Sequence, residues 1–211
     1  MESPAPARRL GLDLDNTIID YEAIIREEVA GLGLLPVVPV GDKRALRDAL
    51  RAIPDGEGHW TRVQARVYGP RLEAASPFPG AIDFIRRATA AGHELVIVSH
   101  KTPVAAADES GYDLHAAANQ WLELRGIVGP GAISPARVYY ESSRAAKIAR
   151  IARLELDAFL DDLAEVFAEP EFPRHVQRWL FSPAAPLEAE RGVDRVFRSW
   201  TELERHVLPG R

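Results

Sequence analysis

Cysteine is absent from this 211-residue chain, and methionine occurs once. Without thiols there is no disulfide, no cysteine nucleophile and no thiolate-bound zinc. A chain of this kind suits a reducing compartment, and a cytoplasmic location is the expectation. Long apolar runs are missing as well: no segment has the roughly 20 consecutive apolar residues of a membrane-spanning helix. The Pro/Ala-rich start, Met1 to Arg9, lacks the apolar centre of a secretory signal and reads as a short mobile lead. Positive charge is not in excess. The formal net charge of −5 argues against nucleic acid or an anionic membrane as the main partner. What remains is an ordinary soluble composition, 46% apolar and 27% charged, long enough for one sizeable core or a core with a smaller insertion.

Against that plain background one stretch carries chemistry: Leu10-Gly11-Leu12-Asp13-Leu14-Asp15-Asn16-Thr17. A short apolar run ends in two acids spaced two apart, and turn-forming residues follow. Positions two apart share a face of a strand, so Asp13 and Asp15 leave the end of a buried strand close together. Neighbouring carboxylates repel, and a divalent cation bound by oxygen ligands is the usual compensation.

Further apolar runs alternate with helix-like stretches. Leu10 to Leu14, Glu94 to Val98, Arg137 to Tyr140 and Ala158 to Leu160 read as buried strands, with Gln177 to Phe181 and Val193 to Phe197 as weaker ones. Helices are expected over Gly80 to Ala91, Ser143 to Leu154 and Thr201 to about His206. Continuous apolar strands alternating with helices predict an α/β fold: a Rossmann-like parallel sheet with helices on both faces. The interval 20–79 breaks the rhythm. It holds helix-like stretches at Tyr21 to Gly31, Asp42 to Ala52 and Trp60 to Ala75, and no core strand. It reads as a small helical insertion, with 1–19 and 80–211 forming the core.

Four places with reactive side chains stand out, most of them at or just past the C-terminal end of a strand-like run, where open α/β sheets bind ligands. They are Asp13 with Asp15, then Ser99 with His100, Lys101 and Thr102, then Lys147, then Asp161 with Asp162. In this order they resemble the haloacid dehalogenase-like hydrolase superfamily. Its motifs are a strand ending in Asp-x-Asp-x-Thr, a strand ending in Ser or Thr, a helical Lys, and a strand ending in an acidic pair. Here they correspond to Asp13-Leu14-Asp15-Asn16-Thr17, Val96-Ile97-Val98-Ser99, Lys147 and Phe159-Leu160-Asp161-Asp162. The resemblance covers about residues 9–182, and the first and last motifs are its most specific parts.

The resemblance implies a magnesium-dependent phosphohydrolase acting through an aspartyl-phosphate. Asp13 would be the nucleophile and Asp15 the general acid and base. Asp13, Asp15 through its carbonyl, Asp161 and Asp162 would hold Mg2+, with either member of the last pair as the direct ligand. Ser99 and Lys147 would hold phosphoryl oxygens, Arg144 being the alternative to Lys147 one turn earlier. Thr17, Ser99, His100 and Lys101 are the substrate-binding candidates. An acid at position 15 points to a phosphatase, because the superfamily's dehalogenases lack one there and an alkoxide leaving group needs a proton. The insertion corresponds to the superfamily's helical cap, which favours a small phosphorylated metabolite as partner. Trp60, Arg66 and Tyr68 would either line its pocket or pack within the cap. Tyr139 and Tyr140 would stand between core and rim, and Glu165 behind the acidic pair. The competing readings are a phosphomutase acting on a sugar phosphate and a non-catalytic binding or regulatory protein that retains the fold.

Overall fold

The computed structural model describes residues 6–39, 43–105, 111–183 and 192–208. Most of the N-terminal lead, 1–5, and Asp42 at the expected start of a helix lie outside the described residues. In chain order the elements are β1 (Arg9–Leu12), β2 (Ile19–Asp20), α1 (Glu22–Gly31), α2 (Lys43–Arg51), α3 (Gly56–Tyr68), β3 (Ser76–Pro77), α4 (Ala81–Ala90) and β4 (Glu94–His100). There follow α5 (Leu114–Leu124), β5 (Val138–Glu141), α6 (Arg144–Arg153), β6 (Ala158–Asp161), α7 (Ala164–Phe167), β7 (Gln177–Phe181), β8 (Arg195–Phe197) and α8 (Trp200–Val207). Two compact units emerge: Met1–Ile18 with Pro77–Lys101 and Leu122–Arg211, and Ile19–Ser76 with Thr102–Trp121. The second unit thus takes in a stretch after β4 as well as most of the expected insertion.

The first unit is built on a six-stranded sheet in the order β5-β4-β1-β6-β7-β8, every neighbouring pair parallel. The chain begins in the middle, adds strands on one side, then returns to β1 and adds strands on the other. Sheets that reverse direction in this way open a crevice at the C-terminal ends of the strands flanking the switch, here β4, β1 and β6. The central strands are buried on both faces, which is why they read as unbroken apolar runs.

One face packs on α6. Val96 and Val98 of β4, Phe159 of β6 and Leu180 of β7 join Ile148 and Ile151 of α6 in one cluster. Alternation turns Phe181 to the other face, where its ring lies 5.9 Å from Trp200 of α8, which in turn lies 5.4 Å from Phe84 of α4. Full burial of each such ring contributes about 2–3 kcal/mol. Gly11 answers a packing need in β1. A Cβ there would stand 2.4 Å from Phe159 Cδ2 and 2.5 Å from Leu156 Cδ1, so only glycine lets the phenyl ring cross the strand.

The second unit buries one stripe of each of its first three helices. Ile24, Ile25 and Val29 of α1, Leu46 and Leu50 of α2, and Trp60, Val63 and Val67 of α3 are all inside. Tyr21 and Tyr68 meet edge to face at 4.7 Å, and the Tyr68 hydroxyl accepts a hydrogen bond from Lys43 at 2.9 Å. Trp60 is thus a core residue of its own unit, and Arg66 is engaged by Glu28 at 2.6 Å. Helix α5 carries a signal that the sequence reading passed over. Asp113 caps it, accepting from the backbone N–H of His115 and of Ala116 at 2.9 Å each, and Leu114, Ala117, Ala118, Trp121 and Leu122 repeat at helical spacing.

Candidate active site

Burying a charge or hydroxyl is costly unless it is partnered. Among the described residues seven polar or charged side chains are buried, and all but His93 lie at the β1, β4 and β6 ends or on α6: Asp13, Thr17, Ser99, Lys101, Lys147 and Asp161. Such concentrated cost marks a site kept for its chemistry.

Asp13 is the first residue past β1, and its N–H still donates to Leu160 of β6 at 2.8 Å. The ladder then ends, and Asn16 turns the chain with φ of 60°. Ile18 N–H donates to the Leu14 carbonyl at 3.0 Å, closing a helical turn that brings Thr17 back beneath Asp13. The Thr17 hydroxyl donates to Asp13 Oδ2 at 3.3 Å, and its carbonyl accepts from Trp200 Nε1 at 3.1 Å. The turn is thereby pinned to the core by α8.

Ser143 caps α6 through its hydroxyl, which accepts from Ala146 N–H at 3.1 Å. The register this sets turns Lys147 inward with Ile148 and Ile151. Its Nζ donates to Asp13 Oδ1 at 2.5 Å and to Asp161 Oδ2 at 2.7 Å, and stands 5.3 Å from the centre of the Phe159 ring. Arg144 points elsewhere and pairs with Glu169 at 3.1 Å in an exposed bridge. Asp161 also turns the chain after β6, its Oδ1 accepting from Leu163 N–H at 3.0 Å.

Asp13, Asp161 and Asp162 each offer an oxygen within 4.8 Å of the others. Hard carboxylate oxygens at this spacing are the donor type that Mg2+ or Ca2+ takes. The strain shows in Asp13. Burial, joined by the charges of Asp161 and Asp15, pushes its carboxyl up to about 7, against the pull of Lys147. Burial pulls the Lys147 ammonium down, but Asp13 and Asp161 outweigh it, and the net direction is upward.

Ser99 ends the buried part of β4, and its hydroxyl oxygen has no hydrogen-bond partner among the described residues. A buried hydroxyl without a protein partner, at the end of the strand next to β1, can donate to a ligand oxygen. His100, the next residue, is exposed. Lys101 is buried again and holds Asp15 at 2.9 Å. Tyr140 of β5, opposite Ser99, lies near enough to Asp15 that burial and that charge together push its hydroxyl upward. Tyr139 lies under the Arg150 guanidinium, 4.6 Å from its ring centre, and Arg150 in turn pairs with Glu141. Glu165 sits in the first turn of α7. The contribution of Glu141, whose carbonyl accepts from Lys101 N–H at 3.0 Å, was not read from the sequence, although it ends a strand as the other site residues do.

No protein-family model matches the sequence, and no curated protein is similar to it in sequence. Solved structures resemble it throughout. A HAD family hydrolase from Deinococcus radiodurans with bound phosphate and sodium has a TM-score of 0.60 at 17% identity, over 97% of this chain and 99% of that one. A dehalogenase with an intermediate complex gives 0.59 at 14%, over 97% and 98%. Bacillus subtilis YfnB bound to magnesium gives 0.57 at 14%, over 97% and 100%. The fold is the Rossmann-like α/β fold of haloacid dehalogenase-like hydrolases.

Proposed function

We propose that the protein is a magnesium-dependent phosphohydrolase that cleaves a phosphate ester of a small metabolite through an aspartyl-phosphate on Asp13. The observation that carries this reading is the buried cluster of Asp13, Lys147 and Asp161, with a second acid, Asp15, two residues beyond the nucleophile.

Asp13 attacks phosphorus, the ester P–O bond breaks, and Asp15 gives its proton to the departing oxygen. A water molecule, losing its proton to Asp15, then attacks the phosphoryl group, releasing phosphate and restoring Asp13. Lys147 and the Ser99 hydroxyl hold the phosphoryl oxygens as charge builds on them. The carboxylates of Asp13, Asp161 and Asp162 fit a magnesium ion, which would supply positive charge against both nucleophile and phosphate. The relatives in fold include dehalogenases, but a halide leaves without a proton and an alkoxide does not. Asp15 therefore favours the phosphate ester. A helical insertion between β1 and β4, in the position of a cap, supports a small substrate rather than a polymer.

The test is phosphate release from a broad panel of phosphorylated metabolites, with magnesium and with chelator, for wild type and Asp13→Asn. Metal-dependent release that the variant loses is expected. Full activity in Asp13→Asn, or release from none of the panel, overturns the reading.

A further inference from the structure

Lys101 is a buried cation that the reaction above does not use. Its side chain is 3% exposed, and its Nζ stands 2.9 Å from Asp15 Oδ2 and 3.1 Å from Asp15 Oδ1. Asp15 itself is 20% exposed along its side chain. The lysine backbone is anchored where β4 passes β5, through the bond from Lys101 N–H to the Glu141 carbonyl. Burying a lysine stem costs rotamer freedom and desolvates the ammonium, so the lysine needs a partner there. Asp15 supplies such a partner and is gripped at both oxygens.

We propose that Lys101 is a positioning residue that fixes the carboxyl group of Asp15 at the leaving-group side of the site. The proposal rests on the phosphohydrolase reading and deepens it. Asp15 follows a turn rather than lying in the sheet, and an aspartate's terminal torsion is broad and roughly two-fold when nothing restrains it. A cation on both oxygens narrows that torsion before substrate arrives. Acid catalysis needs its donor held within hydrogen-bond reach of the departing oxygen, and pre-set geometry shortens the search. This role differs from direct substrate binding. A lysine that only binds the phosphoryl group would aid every ester alike, whereas one that aims the acid matters most where the leaving group most needs a proton.

The test compares two esters with magnesium present: phenyl phosphate, whose leaving group is basic, and para-nitrophenyl phosphate, whose leaving group departs readily. Under kcat/KM, which reports steps up to departure of the alcohol, Lys101→Met is expected to lose about tenfold to a hundredfold on phenyl phosphate and far less on the nitro ester. In an Asp15→Asn background the same change should add nothing further, because a residue acting through Asp15 has nothing left to aim. Equal losses on the two esters, or a full additional loss in the Asp15→Asn background, overturn the proposal. Should Lys101→Met fail to melt cooperatively, Lys101→Arg carries the same cycle: a selective loss on phenyl phosphate that vanishes beside Asp15→Asn supports the role, and any other pattern overturns it. Wild type that releases phosphate from none of the metabolite panel, or whose cleavage survives Asp13→Asn, removes the phosphohydrolase reading and this proposal with it. An active wild type with unselective Lys101 variants removes this proposal alone.

Discussion

Lys147 Nζ stands 2.5 Å from Asp13 Oδ1, and that one contact joins α6 to the residue just past β1 across 134 positions of sequence. The lysine also reaches Asp161, so it links the ends of β1 and β6 and sets the distance between two acids that would otherwise repel. The cluster is buried, which makes the lysine, the cation shared by both acids, costly to lose alone.

Lys147→Met should therefore lower stability sharply, by about 3–5 kcal/mol, because it leaves Asp13 and Asp161 buried without their cation. On the proposed mechanism the change also removes a donor to the phosphoryl group, so kcat should fall by roughly a hundredfold to a thousandfold. Thermal melts and turnover of the same preparations check both parts.

Arg144→Ala offers the contrast. Its partner Glu169 is exposed, and exposed pairs contribute about 0–1 kcal/mol. The melting temperature and turnover should stay close to those of the wild type, although the residue is one helical turn from Lys147.

Asp13→Asn should stabilise the metal-free protein at alkaline pH while abolishing turnover. The Asp13 carboxyl is pushed from 3.8 up to about 7, chiefly by burial. A carboxyl with a raised folded-state value favours folding fully below 3.8, and that contribution is lost as pH rises through about 7. The amide has no such dependence. Melting temperatures in chelator should diverge between pH 6 and pH 8, with the variant the more stable at the upper end; a wild type that gains on the variant over that range contradicts the assignment.

Magnesium should raise the melting temperature of the wild type, and more at pH 8 than at pH 6. A cation bound by Asp13, Asp161 and Asp162 must displace the proton that Asp13 holds below about 7, so binding releases protons and tightens as pH rises. Calorimetric titration in two buffers of different ionisation enthalpy would measure that release directly.

Gly11→Ala should destabilise the protein by about 1–3 kcal/mol through overpacking, since the new methyl group would stand on Phe159 and Leu156. Lys147 Nζ lies over that same phenyl ring, so turnover should fall together with the melting temperature.

Much of this was legible in the sequence, for a physical reason. Strands of a parallel sheet covered on both faces must be apolar along their length, so β1, β4 and β6 announce themselves, and the chemistry sits where they stop. The ends were less readable. The apolar run suggested a strand from Leu10 to Leu14, but the strand closes at Leu12: after one more bond from Asp13 to Leu160 the chain turns, with Asn16 at a positive φ and Ile18 N–H bonding the Leu14 carbonyl. Helix α5 had both cap and periodicity and was still missed, standing in a stretch with no strand to frame it.

The residue types and their order along the chain were thus determined by sequence alone: two acids after the first strand, a serine after the next core strand, a lysine on a helix, an acidic pair after β6. Which cation meets which acid was decided only by tertiary structure. Lys147 rather than Arg144 faces Asp13, since the register of α6 turns the lysine inward with Ile148 and Ile151. Lys101 meets Asp15 across 86 positions, since β4 lies beside β1 in the sheet. Local spacing carries no record of such partners; they exist only once the strands have found their neighbours.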